Sequence, residues 1–397
     1  GRNRKSKTRT AQPRIAPERA IKTVTMIQKL STFILALSVL LSISSVNSVA
    51  QSERFAHNDS VTIQYQKAYD TIVSMLEGNT PASFKEAVFA VENAYLDGSL
   101  SKELFQQDLD LLTGLASQII QNRQLTYSGS DKSNVEVNAA LFTIMTDTLH
   151  LLWSNNVNLR HMPFRYDFDD VFGRSDWTQM FVSKLLATRS GNCHSLPYLY
   201  KILAEEMDVP AHLALAPNHV YIKLRNEESG WYNTELTSGQ FPIDAWLMAS
   251  GYVHMDAIHN SIYMDTLSTR QSLALTLVDL AKGYQRKTQN TDPEFVLQIT
   301  EKALEYDPTS INALLLKAEL LKEELQRGME KKGFEEIGSI VTGSPTDSLF
   351  TEMQKMYGHI HQLGYRQMPE SMYLDWLQSL QSEREKYTNS NLPYSNN

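Results

Sequence analysis

Cysteine is almost absent from this sequence, which contains only Cys193 among 397 residues. A single thiol cannot form a disulfide within the chain, and it cannot supply the paired cysteines of most structural zinc sites. An unpaired thiol is a liability in an oxidising compartment unless it is buried or used chemically. The count alone therefore leaves two interpretations open, a small buried apolar residue or a reactive nucleophile.

Signals for phosphate and metal binding are also lacking. The glycines near the middle of the chain, Gly239 and Gly251, are isolated turn residues rather than parts of a glycine-rich phosphate loop. His254, Asp256 and His259 are close in sequence but do not follow a recognised metal-ligand spacing. We therefore expect no bound cofactor and no metal.

Acidic residues outnumber basic ones beyond the first 29 residues. The chain carries a formal net charge of −8, although residues 1–29 hold nine Lys or Arg and one Glu. The remainder is thus more acidic than the total suggests, and an acidic surface repels phosphate groups. A nucleic-acid partner is not expected.

The apolar run Phe33–Ile43 is too short to cross a bilayer comfortably. With Lys29 before it and Ser48-Val49-Ala50 after it, the run is typical of a signal peptide over residues 26–50. We expect residues 1–25 to be an upstream extension and the mature protein to be exported, periplasmic or secreted, without lipid or a stable membrane span. The alternative is an uncleaved membrane anchor.

The regions before and after the central part of the sequence both show helical periodicity. Apolar residues recur at three- and four-residue steps through a helical region over 51–150, and a further helix is predicted around Ala139 to Trp153. Another helical region spans 269–387, where Leu280 and Leu314 are 34 residues apart, the period of tetratricopeptide repeats. These helices are expected to pack on the central region and could bind a protein partner. The polar tail 388–397 is predicted to be disordered.

The central region, 151–268, has a different pattern. A helix is predicted from about His194 to Met207, followed by short strands over 211–216, 219–224 and 231–237. A helix followed by antiparallel strands indicates an α+β fold.

Cys193 lies at the predicted start of that helix, after Gly191 and Asn192. The positive end of the helix dipole favours a thiolate, and free backbone N–H groups there can bind a developing oxyanion. A thiol also needs a base, and the base needs a residue to orient it. If residues 225–229 join the last two strands symmetrically, His219 lies directly across from Glu235 and on the same face.

Gly191-x-Cys193, a histidine opening one strand and an acidic residue in the next strand together resemble the transglutaminase-like superfamily. The resemblance covers roughly residues 177–251. It implies a papain-like core in a bacterial exported member of the superfamily, with the N-terminal helices and the tetratricopeptide-like C-terminal helices on either side of it. It also implies that Cys193 is the nucleophile, His219 the general base and acid, and Glu235 the third member, where the family usually has aspartate.

The resemblance leaves the supporting residues open. Asn233 is an alternative orienting residue for the histidine, as in papain-type sites, and Gln179 is a candidate donor to the oxyanion. Asn192 is a further candidate for either role.

Two functional hypotheses follow from the resemblance. The first is a thiol enzyme acting on amide or peptide bonds of a protein or peptide substrate, by hydrolysis or by acyl transfer. The second is an inactive module that binds peptides, proteins or cell-envelope partners. A third interpretation, independent of the resemblance, is a helical scaffold in which Cys193 is structural.

Overall fold

The computed structural model describes residues 61–153, 157–289, 292–331, 333 and 343–382. The described chain is α+β, with helices surrounding small sheets. The predicted extension 1–25, signal peptide 26–50 and tail 388–397 lie outside the described residues. The region boundaries proposed from sequence stay predictions.

The N-terminal part is helical, as its periodicity predicts. Serines begin two of its helices: Ser83 Oγ accepts the N–H of Glu86, and Ser101 Oγ accepts that of Leu104. The helices are α1 (61–76), α2 (Phe84–Tyr95), α3 (Lys102–Asn122) and α4 (Lys132–Thr146).

The helix predicted from Ala139 to Trp153 is wrong in its second half. Helix α4 ends at Thr146, and Leu149–Trp153 forms strand β1, paired antiparallel with β2 (Val157–His161). Apolar runs of this length fit either a buried helix or a strand, and pairing across a short hairpin decides for the strand here.

The central region contains the predicted helix and three-stranded sheet. Strand β3 (Arg165–Tyr166) pairs in parallel with β4 (Ser190–Gly191), and the sheet order β5-β6-β7 is antiparallel throughout. The remaining elements are a 3-10 turn (Trp177–Met180), α5 (Val182–Thr188), α6 (Ser195–Glu206), β5 (His212–Ala216), β6 (His219–Asn226), β7 (Gly230–Thr234), α7 (Asp244–Ser250) and α8 (Met255–His259).

The C-terminal helices start at well-formed caps. Ser268 and Gln271 form a reciprocal capping box, and Asp292 caps the next helix just before Pro293. The helices are α9 (Thr269–Thr288), α10 (Pro293–Tyr306), α11 (Ile311–Lys331), α12 (Pro345–Gln362) and α13 (Glu370–Ser382). No described helix is long and apolar enough to cross a membrane.

Two large apolar cores within the described part of the chain hold most of these elements together. One joins α1 and α2 to α9, α10 and α11. The other surrounds α6 and the β5-β6-β7 sheet, and it takes in Leu314 of α11 and Tyr373, Trp376 and Leu377 of α13. Helix α13 therefore packs on the region that contains Cys193.

Candidate active site

Cys193 occupies the turn between β4 and α6. Gly191 is required there because a Cβ on it would lie 2.2 Å from Ser195 Oγ. That hydroxyl accepts the N–H of Asn192 (3.1 Å) and donates to the carbonyl oxygen of Gln179 (2.9 Å). The backbone around the thiol is thus fixed from both sides.

Asn192 acts as a cap. Its buried Oδ1 accepts the N–H groups of His194 (3.0 Å) and Ser195 (3.3 Å), and its Nδ2 donates to the carbonyl oxygen of Val171. Its carboxamide is therefore committed to the start of α6. Because α6 begins at Ser195, Pro197 falls in the first turn, where a missing N–H breaks no helical hydrogen bond.

His219 and Glu235 form a buried pair. His219 Nε2 lies 2.5 Å from Glu235 Oε2, and the two residues are 3% and 1% exposed. Glu235 Oε1 accepts the backbone N–H of Thr237 at 2.8 Å. Both carboxylate oxygens are engaged, so the imidazole is held in one orientation.

The predicted pairing register of the hairpin is wrong by two residues. Asn226 pairs with Gly230 and Ile222 with Thr234, so the loop has three residues rather than five. A shift of two keeps the side-chain faces unchanged, which is why His219 and Glu235 still meet.

The charges favour a thiolate–imidazolium pair. Burial disfavours ionisation of Cys193, but the hydrogen bond and charge of His219 outweigh it and lower the pKa of the thiol. Burial likewise disfavours the charged form of His219, yet the Glu235 carboxylate and Cys193 raise its pKa above the usual value. For Glu235, burial is outweighed by His219 and Thr237, which lower its pKa.

Helix α13 contributes a hydroxyl to this pair. Tyr373 Oη lies 3.2 Å from Cys193 Sγ and 3.3 Å from His219 Nδ1. The Trp376 ring packs edge-on against His219, with ring centroids 4.7 Å apart. Under this cover Cys193 is only 8% exposed.

A second histidine, His194, adjoins Cys193 in the chain. His194 Nδ1 is 2.9 Å from the carbonyl oxygen of Met180, and its Nε2 is 3.1 Å from Asp279 Oδ1 on α9. Burial lowers the pKa of His194, but Asp279 and the Met180 carbonyl raise it more. The resulting charge also lowers the pKa of Cys193.

The remaining predicted residues have other partners. Asn233 Nδ2 donates to the carbonyl oxygen of Pro242 (3.0 Å) and to Asp244 Oδ1 (2.7 Å), so it fixes the loop before α7 and does not orient His219. Gln179 Nε2 donates to Asp167 Oδ2 at 2.7 Å. One N–H of its amide is therefore committed to Asp167, and its Oε1 meets no partner among the described residues.

A surface cleft opens next to the thiol. It is lined by Phe172, Arg174, Asn218, Met368 and Glu370, and the carbonyl oxygen of Asn218 lies 3.7 Å from Cys193 Sγ. Arg174 and Glu370 close one side through two hydrogen bonds of 2.9 and 2.7 Å. The cleft thus reaches Asn218, the residue whose carbonyl oxygen contacts the thiol.

Two site residues were missed from sequence: Tyr373 and Trp376. Tyr373 is 180 residues from Cys193 along the chain. The apolar spacing Tyr373, Trp376, Leu377 predicts a buried helix face, but nothing in it identifies the surface that it covers.

Among the described residues, no three His, Cys, Asp or Glu side chains are grouped closely enough to hold a metal ion. No protein-family model matches the sequence, and no curated protein or solved structure matches the chain.

Proposed function

We propose that this protein is a thiol enzyme that cleaves or transfers acyl groups at amide or peptide bonds, with Cys193 as nucleophile, His219 as base and acid, and Glu235 as the orienting carboxylate. The observation that carries the proposal is the buried 2.5 Å contact between His219 and Glu235, placed beside the only thiol of the chain. Strongly perturbed titratable groups gathered next to a cleft are typical of catalytic sites.

A structural role for the cysteine fits these features poorly. A thiol buried for packing alone has a raised pKa, whereas that of Cys193 is lowered by His219. Burying histidine and glutamate also costs desolvation free energy that an apolar pair would avoid. A catalytic thiolate–imidazolium pair explains why these polar residues are buried despite that cost.

The proposed reaction starts from the ion pair. The Cys193 thiolate attacks the carbonyl carbon, the C–S bond forms, and the C=O electron pair moves onto oxygen. His219 donates its proton to the leaving nitrogen as the C–N bond breaks, which leaves a thioester on Cys193. His219 then removes a proton from water or from a second amine as that nucleophile attacks the thioester. The C–S bond breaks, which releases the acid or the new amide and restores the thiolate–imidazolium pair.

The same proposal extends to the fold. We infer a transglutaminase-like, papain-type core over residues 151–268, with tetratricopeptide-like helices after it that could contact a protein partner. A protein or peptide substrate suits a cleft open to solvent beside Asn218. Export of the mature protein stays a prediction, since the signal-like segment lies outside the described residues.

The test is the pH dependence of iodoacetamide alkylation. Because the chain has one cysteine, mass spectrometry of the intact protein reports on Cys193 alone. We expect the alkylation rate to rise with pH at a midpoint well below the free-thiol pKa of about 8.5. In His219→Ala the pH midpoint of alkylation should rise to about 8.5 or above. A thiol with a pKa of about 8.5 is only about 0.3% ionised at pH 6.

His212→Ala is the matched control, because His212 lies on the neighbouring strand β5 and packs against Trp231 rather than the thiol. It should keep the wild-type profile. Wild-type alkylation that rises only near pH 8.5, or that does not respond to His219→Ala, would refute the proposal.

A further inference from the structure

The proposed reaction needs hydrogen-bond donors for the oxyanion. Acyl transfer sites stabilise the developing negative charge with donors fixed in advance, usually more than one. The N–H of Cys193 is one donor, because it meets no acceptor among the described residues. Asn192 Nδ2 donates to Val171 and Gln179 Nε2 donates to Asp167, so we look for the second donor in another group beside the thiol.

Tyr166 is fixed next to the nucleophile by the backbone. It is the register partner of Gly191 in the parallel β3-β4 pair, two residues from Cys193. Two backbone hydrogen bonds hold this strand. The N–H of Asp167 donates to the carbonyl oxygen of Gly191 (2.7 Å), and the N–H of Arg165 donates to the carbonyl oxygen of Arg189 (2.8 Å). The Tyr166 ring also packs against Phe168.

The hydroxyl of Tyr166 has no hydrogen-bond partner within the described part of the chain. The residue is 8% exposed, and its Oη lies within interaction range of Cys193 and Tyr373 without hydrogen-bond geometry to either. Burial, and next the Cys193 charge, raise the pKa of Tyr166 well above its ordinary value, so the hydroxyl keeps its proton. A buried donor without an acceptor is unfavourable, and at Tyr166, unlike at Tyr65, the donor lies beside the proposed nucleophile, where the oxygen of a bound substrate can serve as acceptor.

We propose that Tyr166 is a catalytic residue that, together with the N–H of Cys193, forms the oxyanion hole for the carbonyl oxygen of the acyl substrate. This inference rests on the proposed function. In the addition step, the Sγ–C bond forms and the oxyanion accepts hydrogen bonds from both groups. Tyr166 keeps its proton throughout, and collapse of the intermediate restores the C=O bond as the leaving group departs.

Two reactions of the same thiol separate this role from a structural one. Acylation by p-nitrophenyl acetate passes through an oxyanion and releases p-nitrophenolate, whereas alkylation by iodoacetamide is a displacement at saturated carbon with no oxyanion. In Tyr166→Phe we expect acylation to slow by about 10²- to 10³-fold, the usual effect of losing one oxyanion donor. Alkylation should stay within about twofold of wild type, because a change in thiolate fraction or access would affect both reactions.

Tyr65→Phe is the matched control, because Tyr65 is a buried tyrosine of the other apolar core whose hydroxyl also meets no partner in the described residues. It should change neither rate. Equal slowing of both reactions in Tyr166→Phe, no slowing of either, or a wild-type thiol that is alkylated rapidly but not acylated, would each overturn the oxyanion role. Failure of the proposed function gives a different result, a wild-type alkylation profile with an ordinary thiol pKa.

Discussion

Because α13 covers Cys193, replacing Trp376 with alanine should expose the thiol to reagents. Trp376 is 4% exposed, packs on the His219 ring and stacks on Trp246. Reagents reach a covered group through local opening, at a rate proportional to the open population. Truncating a buried tryptophan to alanine costs about 3–5 kcal/mol, and most of that cost should fall on the docking of α13.

Each 1.4 kcal/mol changes a population about tenfold. Iodoacetamide alkylation of Trp376→Ala should therefore be faster by roughly a hundredfold to a few thousandfold, up to the rate of a fully exposed thiolate. Glu235 and its contact with His219 stay in place, so the pH midpoint of the reaction should change little. Stopped-flow alkylation across pH 5–9 measures both quantities.

Leu374→Ala is the control on the same helix, since Leu374 is 37% exposed and faces away from the core. It should alkylate like the wild type. If Trp376→Ala reacted no faster than Leu374→Ala, then α13 would not limit access, and the reagent would reach Cys193 through the cleft beside Asn218 instead.

Two further substitutions test the buried carboxylates. Glu235→Gln removes the charge that raises the pKa of His219, so the proton returns to Cys193, and alkylation at pH 6 should slow at least tenfold with a raised low-pH limb; an unchanged profile would show that Glu235 is not coupled to the thiol. Glu92→Ala leaves the N–H groups of Val182 (2.6 Å) and Ser183 (2.8 Å) without acceptors, and urea titration should show a free energy of unfolding lower by about 2–5 kcal/mol. Burial, opposed by Ser183 and Val182, raises the pKa of Glu92 to about 7. The stability that Glu92 contributes is therefore complete below its unfolded pKa of 4.5 and is lost as the pH rises through 7. The variant should lose more free energy of unfolding at pH 5 than at pH 8, and equal losses at the two pH values would contradict this.

Local patterns predicted the local elements of the site. The apolar spacing after Cys193 predicted α6, and alternating residues predicted strands within one to three residues of β5, β6 and β7. To predict that His219 and Glu235 pair, it was enough to know which face of each strand their side chains occupy. That information survives a register shift of two residues, because side chains alternate with a period of two.

Features set by distant parts of the chain could not be predicted in this way. Tyr166 reaches the thiol through the parallel β3-β4 pair, and a two-residue strand carries no periodic signal. Tyr373 and Trp376 reach it because α13 packs on the core that contains Cys193, 180 residues away along the chain. Gln179 was selected by its position before Cys193, but its partner Asp167 is determined by the folding of the 167–179 segment.

The register of the hairpin gives a physical reason for glutamate at position 235. Continuing the observed pairing by one residue places Glu235 opposite Tyr221, so His219 is its diagonal neighbour rather than the residue directly across. Diagonal neighbours are about 7–8 Å apart, compared with about 5 Å for direct ones, and a longer side chain is needed to bridge them. Glutamate reaches His219 Nε2 with one oxygen while the other accepts the N–H of Thr237. An aspartate would be one methylene too short to keep both contacts, so the departure from the aspartate of the transglutaminase-like pattern follows from this register and does not argue against activity.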